Sequence, residues 1–212
     1  MLTLYDYFRS SACFRVRIAL NLKNIPHELI PIHLVNNGGE QHSENFKKIN
    51  PQQLVPALQH DDKILTQSLA IIEYLDELYP EPPLLPNTPF AKAEVRAFAL
   101  TIVADIHPLN NLRILNYLTK ELKHSDAYKN QWYQHWIMNG FTALEKTLLK
   151  KPNNEFCFGD QPTLADICLV PQMYNARRFS CDLSLFPNLV RVDANCQKND
   201  VFRLAFPTET VT

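Results

Sequence analysis

Leu2-Thr3-Leu4-Tyr5-Asp6-Tyr7-Phe8-Arg9-Ser10-Ser11-Ala12-Cys13-Phe14-Arg15-Val16-Arg17-Ile18-Ala19-Leu20 carries a strand pattern straight into a helix pattern. Leu2, Leu4 and Asp6 alternate with Thr3, Tyr5 and Tyr7, the two-residue period of a short strand. Ser10 and Ser11 follow, and then Val16, Ala19, Leu20 and Lys23 recur on one helical face. Serine ahead of such a run marks a helix start, because its hydroxyl accepts from main-chain N–H groups that lack a helical partner. Pro26 ends the helix, and residues 28–34 read as a second strand. Strand, helix and strand in this order make a βαβ unit with a parallel pair and a right-handed crossover.

Working outward, Asn36, Asn37, Gly38 and Gly39 mark a loop. Residues 43–49 suit a short helix closed by Pro51. Asp61-Asp62 separates two short apolar runs, 57–59 and 63–65, as a hairpin turn does. Ser68 is expected to cap an amphipathic helix with Leu69, Ile72, Leu75 and Leu78 on one stripe. The order strand, helix, strand, helix, strand, strand, helix fits a thioredoxin-like α/β domain over residues 1–80. Pro80, Pro82, Pro83, Pro86 and Pro89 then break the pattern, since proline suits neither helix interiors nor central strands. Residues 81–89 are read as a Pro-rich linker. Residues 90–212 are read as an all-α C-terminal domain. Residues 92–122 are expected to form one long helix, bent near Pro108, and residues 128–149 a second with Trp132, Trp136 and Leu144 among its apolar positions. Thr163 and Asp166 have the spacing of a capping box that opens a third, apolar helix.

Composition narrows the function classes. The chain has 212 residues, 46% of them hydrophobic and 20% charged, which is globular rather than disordered. A formal net charge of -1, with charges interspersed, gives no basic footprint for nucleic acid. No apolar run approaches the length needed to span a bilayer, and Met1 to Tyr7 lacks the pattern of a secretory signal. Five scattered cysteines, Cys13, Cys157, Cys168, Cys181 and Cys196, read as free thiols of a reducing compartment. A cytoplasmic location is therefore expected. No C-x-x-C occurs and the histidines do not cluster with cysteines, so no metal site is expected.

Several stretches together resemble zeta-class glutathione transferases, the class that includes maleylacetoacetate isomerase and the bacterial maleylpyruvate isomerases. They are residues 10–20 as quoted above, Asn50-Pro51-Gln52-Gln53-Leu54-Val55-Pro56-Ala57-Leu58, and Gln67-Ser68-Leu69-Ala70-Ile71-Ile72-Glu73-Tyr74-Leu75. Gly159-Asp160, residues 163–171 and Ala176-Arg177-Arg178-Phe179 complete the likeness, which spans nearly the whole chain. One position departs from the pattern. Ala12 stands where the family usually has cysteine, and Cys13 follows one residue later. The resemblance therefore implies glutathione, not a protein thiol, as the nucleophile.

The resemblance implies the glutathione transferase fold, a homodimer and a set of roles. Ser10 or Ser11, at the positive end of the first helix, would donate to the glutathione thiolate, though one serine alone also suffices as a plain cap. Ala12, Cys13, Phe14 and Arg15 continue that cofactor-binding segment. Val55-Pro56 resembles the cis-proline position of the fold, where the Val55 main chain would pair with the cysteinyl unit like an added strand. Gln67 and Ser68 would offer helix N–H groups to the γ-glutamyl carboxylate, and Gln41 would approach the glycyl end. His107 and Asn111, one turn apart in the expected helix, lie in a segment similar to one lining the family's site. A dianionic keto acid calls for arginines, and Arg9, Arg113, Arg177 and Arg178 match that requirement. Arg9 is also placed beside the serines as a catalytic residue. The implied reaction is addition of glutathione to a cis double bond, rotation and elimination, which isomerises a maleyl keto acid and regenerates the cofactor. A transferase acting on α-halo acids, and a non-catalytic binding module, are the competing readings.

Overall fold

β1 (Leu2–Asp6) is buried along its whole length. It lies inside a four-stranded sheet of order β2-β1-β3-β4, parallel to β2 (Glu28–Pro31) and antiparallel to β3 (Ala57–His60). β4 (Lys63–Thr66) pairs antiparallel with β3 across the Asp61-Asp62 turn, where Asp61 adopts a φ of 55°. The expected strand is present, and because it has partners on both edges, Thr3, Tyr5 and Asp6 are buried along with Leu2 and Leu4. A computed structural model provides these coordinates and describes residues 1–208.

α1 (Ser11–Leu22) joins β1 to β2, and α2 (Glu44–Ile49) follows β2, capped by the Ser43 hydroxyl. The second strand stops at Pro31 and is mostly exposed, shorter and less buried than residues 28–34 promised. α3 (Ser68–Leu78) packs against α1. Tyr5, Tyr7, Phe46, Val55 and Ala57 form one core cluster, with Ile49 of α2 against it. Lys23, just past α1, has a buried ammonium that donates to the carbonyls of Tyr79 (2.5 Å) and Pro82 (2.7 Å) and pairs with Asp76 (2.7 Å). It satisfies the Tyr79 carbonyl at the C-cap of α3 and the Pro82 carbonyl in the turn beyond it.

The chain divides into two units: Met1–Pro83 with the segment from Asn199 onward, and Leu84–Lys198. The helical domain read as residues 90–212 therefore ends earlier. α9 (Asp200–Arg203) and the residues after it join the first unit, because α1 holds them. Arg17 Nε donates to the Ala205 carbonyl (3.1 Å), Asn21 Nδ2 to that of Val201 (3.0 Å), and Phe206 sets its ring edge to Phe14. Residues 209–212 of the expected domain lie outside the described residues. The proline-rich stretch is partly built into structure: Leu84 is buried, and the Thr88 hydroxyl caps α4 (Pro89–Leu100) with Pro89 at its first position.

The long helix expected over 92–122 is broken. α4 passes into a π-helical turn, Thr101–Ile106, and the helix stops at His107. Pro108 lacks an N–H, and Asn111 caps a new short helix, α5 (Leu112–Asn116). A Cβ on Gly140 would collide with the Ile106 side chain, so glycine there permits the close approach of the π turn to α6 (Asp126–Leu148). α7 (Leu164–Arg178) opens on the expected box. Asp166 accepts from the Thr163 N–H and hydroxyl and from the Cys157 N–H, all at 2.8–2.9 Å. α8 (Pro187–Lys198) receives its cap from another helix: buried Glu145 accepts from the N–H groups of Asn188 and Leu189 at 3.0 Å.

Candidate functional site

The first unit gathers three open main-chain positions. At the start of α1, Ser10 is the N-cap, and its Oγ accepts from the Cys13 N–H at 3.3 Å. Ser11 is the first helical residue and is buried. The Ala12 N–H has no hydrogen-bond partner among the described residues. At Val55, before the cis peptide to Pro56, the main-chain N–H and C=O likewise have none. At the start of α3, the cap is Gln67, not Ser68 as expected. Gln67 holds a φ of 71° and makes no side-chain cap bond, so the N–H groups of Ser68, Leu69 and Ala70 stay open among the described residues. An 11-residue helix carries a positive end there.

Ser68 Oγ faces inward and accepts from Arg15 Nη1 at 3.0 Å. Arg15 is only 1% exposed, so its charge lies behind the open end of α3 rather than on the surface. Both features favour a carboxylate at that end. Gln67 Nε2 donates to Gln52 Oε1 at 3.1 Å, which brings in a side chain given no role in the sequence reading.

Burial revises three expected contacts. Cys13, Phe14 and Arg15 have no surface to offer a ligand, so they support the segment from inside. The Tyr7 N–H donates to Cys13 Sγ at 3.4 Å. Burial, with the Asp6 carboxylate nearby, pushes the Cys13 thiol far above its ordinary range. Asp6 is itself raised by burial, against the pull of Arg17, which pairs with it at 2.5 Å. Arg17 Nη2 also donates to the Phe8 carbonyl at 3.0 Å and so fixes the chain just before Arg9. Arg9 is exposed, its guanidinium 4.9 Å from the centre of the Phe8 ring. Gln41 is buried, and its amide packs on Gly39, with Nε2 3.4 Å from the Leu34 carbonyl.

The second unit holds the remaining candidates. His107 is half-buried, and its N–H closes the π turn on the Ile102 carbonyl at 2.8 Å. Asn111 is not one helical turn from it, because residues 107–111 form the break. Its Oδ1 accepts from the Arg113 N–H at 3.1 Å as the cap of α5. The Arg113 side chain is exposed and makes no ion pair among the described residues. Arg177 and Arg178 separate in character. Arg177 pairs at 2.6 Å with fully buried Asp193, whose carboxyl burial raises. Arg178 is exposed and lies 5.4 Å from the centre of the Phe179 ring. A cleft of about 410 Å³ runs between the π turn and α6, lined by Asp105, Trp136 and Asn139 among others. None of the candidate arginines lines it, and Asp105 disfavours a dianion there.

A mixed four-stranded sheet with open helix ends, followed by a helical unit, defines the class. The description "Glutathione S-transferase, N-terminal domain" matches residues 4–83, and "Glutathione S-transferase, C-terminal domain" matches residues 113–178. The chain belongs to the glutathione S-transferase family, in its zeta-class branch. A protein of Vibrio cholerae named probable maleylacetoacetate isomerase is 50% identical over 97% of this chain and 95% of its own length. The holo structure of a maleylpyruvate isomerase, described as a bacterial zeta-class glutathione S-transferase, is 46% identical. It covers 99% of this chain and 100% of that one, with a TM-score of 0.95. A maleylacetoacetate isomerase structure from Methylobacterium extorquens, with bound malonate and glutathione, is 36% identical over 97% and 96% of the two chains, with a TM-score of 0.92.

Proposed function

We propose that this chain is a glutathione-dependent cis–trans isomerase that converts a maleyl keto acid, maleylacetoacetate or maleylpyruvate, to its fumaryl isomer. The observation that carries this reading is the full-length likeness to proteins named as those isomerases. The first unit fits glutathione on its own terms. Val55 offers an unpaired main-chain edge, and α3 offers open N–H groups backed by Arg15. When bound, glutathione supplies a thiol whose reversible addition to a cis double bond permits rotation about it.

The chain's own residues do the rest. Ser10 and Ser11, at the positive end of α1, offer hydroxyls to hold a thiolate. Ala12 adds its open N–H to the same end. Val55 pairs with the cysteinyl main chain, Gln67 and Ser68 receive the γ-glutamyl carboxylate, and Gln41 borders the glycyl end. His107 and Asn111 complete the cofactor-facing set. Arg9, Arg113 and Arg178 offer guanidinium groups to the substrate carboxylates and to negative charge that develops during the reaction. Arg177 contributes chiefly by neutralising Asp193. The reading extends to a cytoplasmic homodimer in tyrosine or other aromatic catabolism, with α3 and α4 at the interface. Exposed Phe90 and Leu100 on α4 support that face.

The test is turnover of maleylpyruvate and maleylacetoacetate by the purified chain, with and without glutathione. Fumaryl product that requires glutathione is expected for at least one of the two. Turnover of neither, or equal turnover without glutathione, would sink the reading.

A further inference from the structure

We propose that Phe179 and Tyr133 are positioning residues for Arg178, a stacked aromatic column that pre-sets the guanidinium offered to the keto acid. The inference rests on the isomerase reading and deepens it. Arg178 ends α7 and is exposed, and no ion pair holds it among the described residues. Arg177 beside it is tied to Asp193 instead. A free arginine loses rotamer entropy when a carboxylate immobilises it. Stacking over an aromatic face removes part of that cost before the substrate arrives.

The column is itself anchored. The Phe179 ring lies 3.5 Å from Tyr133, centre to centre, and the two planes differ by 8°. Tyr133 is 4% exposed, so the stack stands on the core. The next residue of α6 grips the Phe179 main chain, with Gln134 Nε2 donating to its carbonyl at 2.8 Å. The same stretch of α6 fixes a second place. Trp132 Nε1 donates to the Leu109 carbonyl at 2.9 Å, and Asn110 Nδ2 donates to the Tyr133 carbonyl at 3.2 Å. Leu109 and Asn110 lead directly into Asn111, the cap that orders Arg113. Three consecutive residues of α6 therefore set both the end of α7 that bears Arg178 and the turn that precedes Arg113. Burial raises the Tyr133 phenol while the Arg178 charge pulls it the other way, in keeping with the two side chains being neighbours.

A double-mutant cycle separates positioning from plain packing. Phe179→Leu keeps apolar bulk and removes the aromatic face, and it is expected to raise KM for the keto acid about three- to tenfold with kcat nearly unchanged. Phe179→Tyr, which restores a face, is expected to return KM to the wild-type value. In an Arg178→Ala background, Phe179→Leu is expected to add nothing. If the leucine variant fails to fold, Phe179→Met takes its place in the same cycle. The same fold-loss in both backgrounds, no loss in either, or a tyrosine variant that behaves like leucine would overturn the proposal alone. A wild-type chain that turns over neither keto acid would overturn the isomerase reading and this inference with it.

Discussion

Cys13 shows how a one-residue offset decides chemistry. The sequence places it next to the serines, where a thiol would draw attention. In the structure it is the third residue of α1 and faces the interior, with Tyr7 donating to its sulfur. Its thiol is pushed far up by burial, whereas the half-exposed Cys181 thiol is pushed up to about 11. Alkylation proceeds through the thiolate, so native protein at pH 8 should label slowly at Cys181, faster as pH rises toward 11, and not at Cys13. Peptide mass spectrometry after iodoacetamide reads this, and rapid labelling of Cys13 would show that its burial is misjudged. Arg15 and Arg17 teach the converse. Charged residues read as solvent-facing, yet both are buried. Their partners, Ser68, Asp6 and Ala205, are distant in sequence or on another element, and no local pattern announces them. The stack of Phe179 on Tyr133 is equally silent in the sequence, because the two residues lie far apart along the chain.

Elements whose causes are local were legible, and those with distant causes were not. The α7 start follows from Thr163 and Asp166, three residues apart, and the β3–β4 hairpin from Asp61-Asp62 between two short apolar runs. The α3 cap was misread by one residue because Gln67 adopts a positive φ that its sequence does not advertise. The break after α4 was foreshadowed by Pro108 as a bend only. The π turn depends on Gly140 admitting Ile106, a contact between helices. Asp166 binds its three donors inside the core, and burial raises its carboxyl despite them. Asp166→Ala would leave two buried N–H groups without an acceptor, so a loss of about 3 kcal/mol in urea unfolding is expected at neutral pH. A loss under about 0.5 kcal/mol would mean that the box caps the helix without holding it.

At the scale of the molecule, the order of strands and the proline-rich break were enough to read a thioredoxin-like domain followed by helices. The return of the chain to the first unit from Asn199 was not, because α9 is only four residues long and carries no periodicity. The site divides in the same way. Most positions proposed to face glutathione belong to short motifs at helix starts, whereas the worth of each proposed arginine depends on whether a partner such as Asp193 already holds it. The fold also serves transferases that keep their conjugates, so the fate of glutathione separates isomerisation from conjugation. The most direct measurement follows free thiol and product together, by thiol titration and proton NMR, while a limiting amount of glutathione meets excess maleyl keto acid. Complete conversion to the fumaryl isomer with the glutathione thiol fully recovered is expected. Loss of one thiol for each substrate consumed would contradict it and assign the chain to conjugation.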